Sequence, residues 1–163
     1  MANADDKVSG IGGWLILPAI GLALAPLMQL YQFFKETLPA FDPQVWHALT
    51  DAASNFYDRM WGPAILFETA TNVVLFGYTL WLAYLFFLRK SVWVPRLFIV
   101  LLGGKVFIDL VDAMLVASIH MTGLHGHGLL AGLAPPASAA LIWIPYFMRS
   151  RRVKNTFIHP AGA

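Results

Sequence analysis

Lys105, Asp109 and Asp112 sit inside an otherwise apolar run from about Leu97 to Ile119. At ~100° per residue the two aspartates lie about 40° and −20° around a helix from the lysine, so all three project to one side. An ionised side chain at the centre of a bilayer costs ~2.5 kcal/mol or more on insertion scales, and such groups are kept only when paired, hydrated or used. Lys105 and Asp109 have the i,i+4 spacing of an ion pair. Asp112, one turn further on, has no partner within that set, and the same stripe continues to Val116 and His120. A second polar stripe opens at Glu68 in the preceding apolar run, with Asn72 about 40° and Thr79 about 20° around from it and Thr71 on its flank.

The two runs read as antiparallel neighbours joined by a short loop. At ~1.5 Å per residue, Glu68 and Asp112 each lie roughly 10 Å from the same end of their helices. An intramembrane polar network of Glu68, Asn72, Lys105, Asp109 and Asp112 is therefore expected. Three carboxylates against one lysine leave at least one that is protonated, hydrated or paired elsewhere, and such a group changes protonation readily. Two uses compete. Polar contacts of this kind can simply fix helix register, at about 0.6 kcal/mol each in membranes, or they can couple protons or a solute to transport.

Three imidazoles, His120, His125 and His127, fall in one short turn and could hold Zn²⁺ or Cu²⁺ with Met121 or Asp112 as a further ligand. Their spacing gives no rigid ligand pair on one helix, and Gly123, Gly126 and Gly128 loosen the segment, so a solvated hairpin turn is the favoured reading. No apolar run has an interior histidine for haem. The chain has no cysteine, which excludes disulfides, thiolate nucleophiles and cysteine-ligated metals. No catalytic residue and no cofactor are expected. Gly128-x-x-x-Gly132, Ala113-x-x-x-Ala117, Gly12-Gly13 and Gly103-Gly104 fit close helix crossings rather than a phosphate loop, since no G-K-[ST] follows any of them.

These side chains need a membrane to position them. Of the 163 residues, 58% are hydrophobic and only 12% charged, with a mean hydropathy of +0.64. A soluble domain carries about 25% charge, so the lipid bilayer is the first partner. A single all-α domain over residues 1–163 is expected: a four-transmembrane-helix bundle with spans at about 11–34, 61–88, 97–119 and 129–148. Pro135-Pro136 and Pro145 should break the fourth. The first apolar run is too long for a signal-peptide core and lacks a clear cleavage site, so it reads as a retained helix.

Residues 35–60 form an outer loop in which Pro43 opens an amphipathic helix, with Trp46, Leu49, Ala53, Phe56 and Met60 on one face. Lys7, Arg89, Lys90, Arg96, Arg149, Arg151, Arg152 and Lys154 fall on one side of the membrane, against Lys35 and Arg59 on the other. That asymmetry places both termini, and a basic tail over 149–163, in the cytoplasm. The tail can meet anionic headgroups. The net charge is only +2, so no nucleic-acid partner is expected.

Three stretches, Gly10-IGGWLILPAIG-Leu22 stepping into the first span, Arg89-KSVWVPRLF-Ile99, and Ile144-PYFMRSRRVKNTF-Ile158, resemble a bacterial inner-membrane family, domain of unknown function 2569. The resemblance implies a bacterial cytoplasmic membrane and a compact four-helix protein, and it carries no activity or site residue with it. The expected role is a non-catalytic accessory or assembly subunit of a larger membrane complex, because four short-looped spans should enclose little cavity. One alternative is a small oligomeric ion- or proton-coupled transport protein that uses the intramembrane carboxylates. A second is a membrane enzyme with an outer-face site. Partner subunits or further copies of the chain are expected beside it.

Overall fold

The computed structural model describes residues 9–119 and 127–159. Among them the structure is helices joined by turns, with one isolated parallel bridge between Ser91 and His159. Helix α1 (Ile16–Gln32) is entered through a 3₁₀ turn at Gly13–Leu15. It runs on through a π turn at Phe33–Thr37 and a 3₁₀ turn at Leu38–Phe41, well past the expected end near Phe34. Lys35 and Glu36 are good helix formers, so two charges do not stop the helix. Asp42 does: its backbone leaves the helical region and its Oδ1 accepts from the Gln44 and Val45 amides at 2.9 and 3.4 Å. That caps α2 (Pro43–Thr50), which has proline in its first turn as such helices prefer.

α2 holds Trp46 and Leu49 but ends before Ala53, Phe56 and Met60. The stop has a local cause. Asp51, Ser54 and Asp58 each accept from an amide two residues on, at Ala53, Phe56 and Met60, and these side chains offer the backbone turns in place of helix.

Helix α3 (Trp61–Tyr84) ends in a π turn at Leu85–Arg89, and Lys90 then takes the left-handed conformation at φ 45°. α4 (Val94–Ala117) and α5 (His127–Arg149) follow, and Ser150 caps the short α6 (Arg151–Thr156). The helical stretches Gly13–Phe41, Trp61–Arg89 and Ala131–Arg149 are long and apolar enough to cross a membrane. α4, of 24 residues, has the length but carries Lys105, Asp109 and Asp112 within it. α5 is continuous through Pro135, Pro136 and Pro145, contrary to the expected breaks. Membrane helices tolerate proline because neighbouring helices, hydroxyls and local adjustments re-satisfy the freed backbone groups.

Each long helix packs on its neighbour in sequence, α1 on α3, α3 on α4 and, most extensively, α4 on α5. The tight core lies at one end, where α1 and α4 begin and α3 and α5 finish. There Leu15, Leu22, Leu82, Phe86, Val94, Phe98, Phe147, Val153 and Phe157 are buried together. Phe98 stacks on Phe147 at 4.3 Å between ring centres, and Phe86 meets Phe157 at 5.0 Å. Around the outside, Trp14, Val74, Leu88, Phe107 and Leu141 are exposed, as lipid contact requires.

The glycines correct a second expectation. A Cβ at Gly103, Gly104 or Gly132 would meet nothing within 4 Å, so these are open faces and not close crossings. Gly12 and Gly13 do receive a close neighbour, the Arg152 guanidinium, with Nη1 2.9 Å from a Cβ built at Gly12.

Candidate functional site

At the end opposite the phenylalanine core, α1, α3 and α4 surround a polar cavity of about 160 Å³. Glu68, Asn72, Lys105, Asp109 and Asp112, the five side chains singled out from sequence, all line it. They come together because Glu68 and Asp112 sit at matching depths on antiparallel helices. Lys105 Nζ is bonded to Asp109 Oδ1 across one helical turn. Asp112 is half-buried, and its charged neighbours are Glu68, Asp109 and Lys105.

Lys105, Asp109 and Asp112 also line a second, larger cavity of about 590 Å³ between α4 and α5. Its other walls are Leu102, Ala113, Val116, Leu133, Ala139 and the residues around Pro135-Pro136. The charged stripe of α4 is thus the partition between a small polar space and a larger, mainly apolar one. A bundle expected to enclose little cavity therefore holds two half-open hollows that share a charged wall.

Sequence reasoning missed the contribution of α1. Gln32 and Glu36 line the polar cavity, and Thr37, only 2% exposed, ties it together. Thr37 Oγ1 donates to Glu68 Oε1 at 3.1 Å and accepts from Asn72 Nδ2 at 3.3 Å. The π turn at Phe33–Thr37 widens the helix by one residue and turns Thr37 inward, a register change that α-helical periodicity does not contain. The spacing of Gln29, Gln32 and Glu36 was a readable signal, since three- and four-residue steps put them on one face. Gln29 Nε2 donates to the buried Thr79 Oγ1 at 3.3 Å, so Thr79 belongs to the α1–α3 contact and does not line the cavity.

The proposed metal ligands His120 and His125 lie outside the described residues. His127 opens α5, but its side chain is likewise outside them. Among the described residues no group of three or more His, Cys, Asp or Glu side chains is placed to hold a metal ion.

The opposite end has its own polar clasp. Arg152 Nη1 donates to the Ser9 carbonyl at 3.4 Å, and Thr156 Oγ1 to the Gly10 carbonyl at 3.2 Å. His159 and Val92 complete it, the Val92 amide donating to the His159 carbonyl at 2.9 Å. The tail after α5 is therefore folded onto the bundle, with Val153 and Phe157 buried. The three stretches that carried the family resemblance meet here.

An all-helical body with apolar exteriors, several membrane-length helices and charged residues turned toward internal spaces defines an integral membrane protein. The chain belongs to the protein family of unknown function DUF2569, whose model matches residues 8–158. It is similar to the inner membrane protein YdgK of Escherichia coli (strain K12), with 34% identity over 150 residues that cover 92% of this chain and 94% of that protein. No solved structure matches it.

Proposed function

We propose that the chain is a four-span protein of the bacterial inner membrane whose open end binds a proton or small cation in the course of coupled transport. One observation carries the reading. Lys105, Asp109 and Asp112 stand between two cavities, and Glu36 and Glu68 line the smaller one. A network that only fixes register is best served by a closed, fully paired set of groups. Here the side chain of Lys105 is 48% exposed, and four carboxylates face one lysine. In this reading Lys105–Asp109 is the fixed pair, Glu68 and Asp112 are the exchangeable carboxylates, and Thr37 and Asn72 orient Glu68.

In the same reading α4 is the third of four spans, its charges facing cavities and not lipid, and α2 lies along the outer membrane surface. Both termini and the 89–96 loop face the cytoplasm, as the lysine and arginine asymmetry argues. Reporter fusions after Gln44 should then report the periplasm, and fusions after Lys90 the cytoplasm. The reverse result refutes the orientation.

A pH step applied to proteoliposomes on a solid-supported membrane tests the coupling. The wild type should give a transient charge movement that Glu68→Gln and Asp112→Asn abolish while their melting temperatures in detergent hold. Amide variants that are stable and keep the full signal refute the reading.

The accessory-subunit role is the second reading, favoured by the open faces at Gly103 and Gly104, onto which another helix would fit. A stoichiometric complex with unrelated subunits after gentle detergent extraction would favour it, and a homo-oligomer would not.

A further inference from the structure

The cavity between α4 and α5 holds about 590 Å³, within the roughly 300–1,000 Å³ usual for small-molecule sites. Its composition follows the pattern of such sites, apolar walls with a few convergent polar groups. Leu102, Ala113, Val116, Leu133 and Ala139 make the walls, and Lys105, Asp109 and Asp112 supply the polar groups along one side. No residue of α3 lines it, so it is not an extension of the register contacts between α3 and α4. Phe107 and Met114 on α4 and Leu141 and Ile142 on α5 are exposed, so the helices that flank the cavity present an apolar exterior to lipid.

Charge selects the kind of occupant. Lys105 is bonded to Asp109, which leaves Asp112 as the acceptor on this wall, and Glu36 and Glu68 add negative charge from the cavity behind it. The site therefore favours a cationic head and disfavours an anionic or neutral one. A primary ammonium supplies three donors, enough to bond Asp112 and share Asp109 with Lys105. The walls accept a hydrocarbon tail.

We infer that the α4–α5 cavity is a binding site for a lipophilic primary amine that enters laterally from the bilayer and sets its ammonium on Asp112. The inference rests on the coupled-transport reading and names its substrate class, since the carboxylate that holds the amine also faces the polar cavity.

The test uses the full-length protein in lipid nanodiscs and radiolabelled n-decylamine, with n-decanol and decyltrimethylammonium as chain-matched probes and empty nanodiscs as background. Saturable binding of decylamine is expected, with none for decanol and at least tenfold weaker binding for the quaternary probe, which cannot donate. Gly132→Leu should weaken decylamine at least tenfold by filling the cavity, and its Cβ has free space to enter. Ala139→Phe is the second filling variant should the first fail to fold. Asp112→Asn should weaken binding by a similar factor.

Equal retention of decylamine and decanol overturns the inference, and so does decylamine binding that stays unchanged in a folded filling variant. Absence of amine binding in a dimer whose interface covers α4 and α5 overturns it too. The pH-step signal uses no amine, so loss of amine binding with that signal intact removes the inference and leaves the coupling standing. The opposite pattern removes the coupling and leaves the amine site.

Discussion

At one end of the bundle Phe86, Phe98, Phe147 and Phe157 are at most 5% exposed and pack ring against ring. At the other, the side chains of Lys105 and Asp109 are 48% and 23% exposed beside two cavities. The same helices, α3 and α4, build both ends. What changes along them is the side-chain chemistry: aromatic and branched residues where α3 finishes and α4 begins, carboxylates and the Asn72 amide in the half where α3 begins and α4 finishes. The packed end stabilises the fold, and this allows the open end to hold groups that a stability-driven design would remove.

The largest expected effect follows from that division. Phe86→Ala would empty a fully buried site and should cost about 3–5 kcal/mol, as core Phe→Ala changes do, seen as a large fall in melting temperature in detergent. Leu102→Ala, beside the larger cavity, should cost only about 1 kcal/mol, below the usual core range, because much of its void already exists. Equal losses at the two positions would erase the distinction between the ends.

Glycine gives a smaller contrast. Gly13 has φ +55° beneath the Arg152 guanidinium, so Gly13→Ala should lose ~1 kcal/mol or somewhat more to left-handed strain. Gly132→Ala lies within α5 in open space and should gain up to ~1 kcal/mol from helix propensity. Chemical denaturation of both variants checks the sign, and a loss at Gly132 would mean that another surface already packs there.

The smallest effect is the ion pair. Full burial of Lys105–Asp109 would make removal of one partner cost ~3–5 kcal/mol. With Lys105 half-exposed, a double-mutant cycle of Lys105→Met and Asp109→Leu should return a coupling of ~1 kcal/mol or less. A much larger value would mean that the cavity is dry.

How far the sequence reaches is visible residue by residue. The stripe of Lys105, Asp109 and Asp112 and its meeting with Glu68 and Asn72 follow from helical period, rise and a short loop, all local quantities. Thr37 is out of reach because the π turn that it closes changes the period. The helix of the first span runs on to Phe41, past the expected end near Phe34, because neither Lys35 nor Glu36 breaks a helix. The expected breaks at Pro135-Pro136 and Pro145 do not occur, since in a membrane helix a lost backbone bond is not a lost helix. The docking of Arg152 and Thr156 on Ser9 and Gly10 joins residues more than 140 apart, and no periodic pattern encodes such a contact.

Water access separates the two ends most directly, and the absence of cysteine means single-cysteine variants need no altered background. Thr71→Cys and Ile108→Cys line the polar cavity, whereas Leu82→Cys and Phe147→Cys lie in the packed core. Labelling with a membrane-impermeant, water-dependent thiol reagent in sealed vesicles should modify the first pair and spare the second. Labelling of the core pair, or protection of Thr71→Cys and Ile108→Cys in folded protein, would contradict a hydrated, open end.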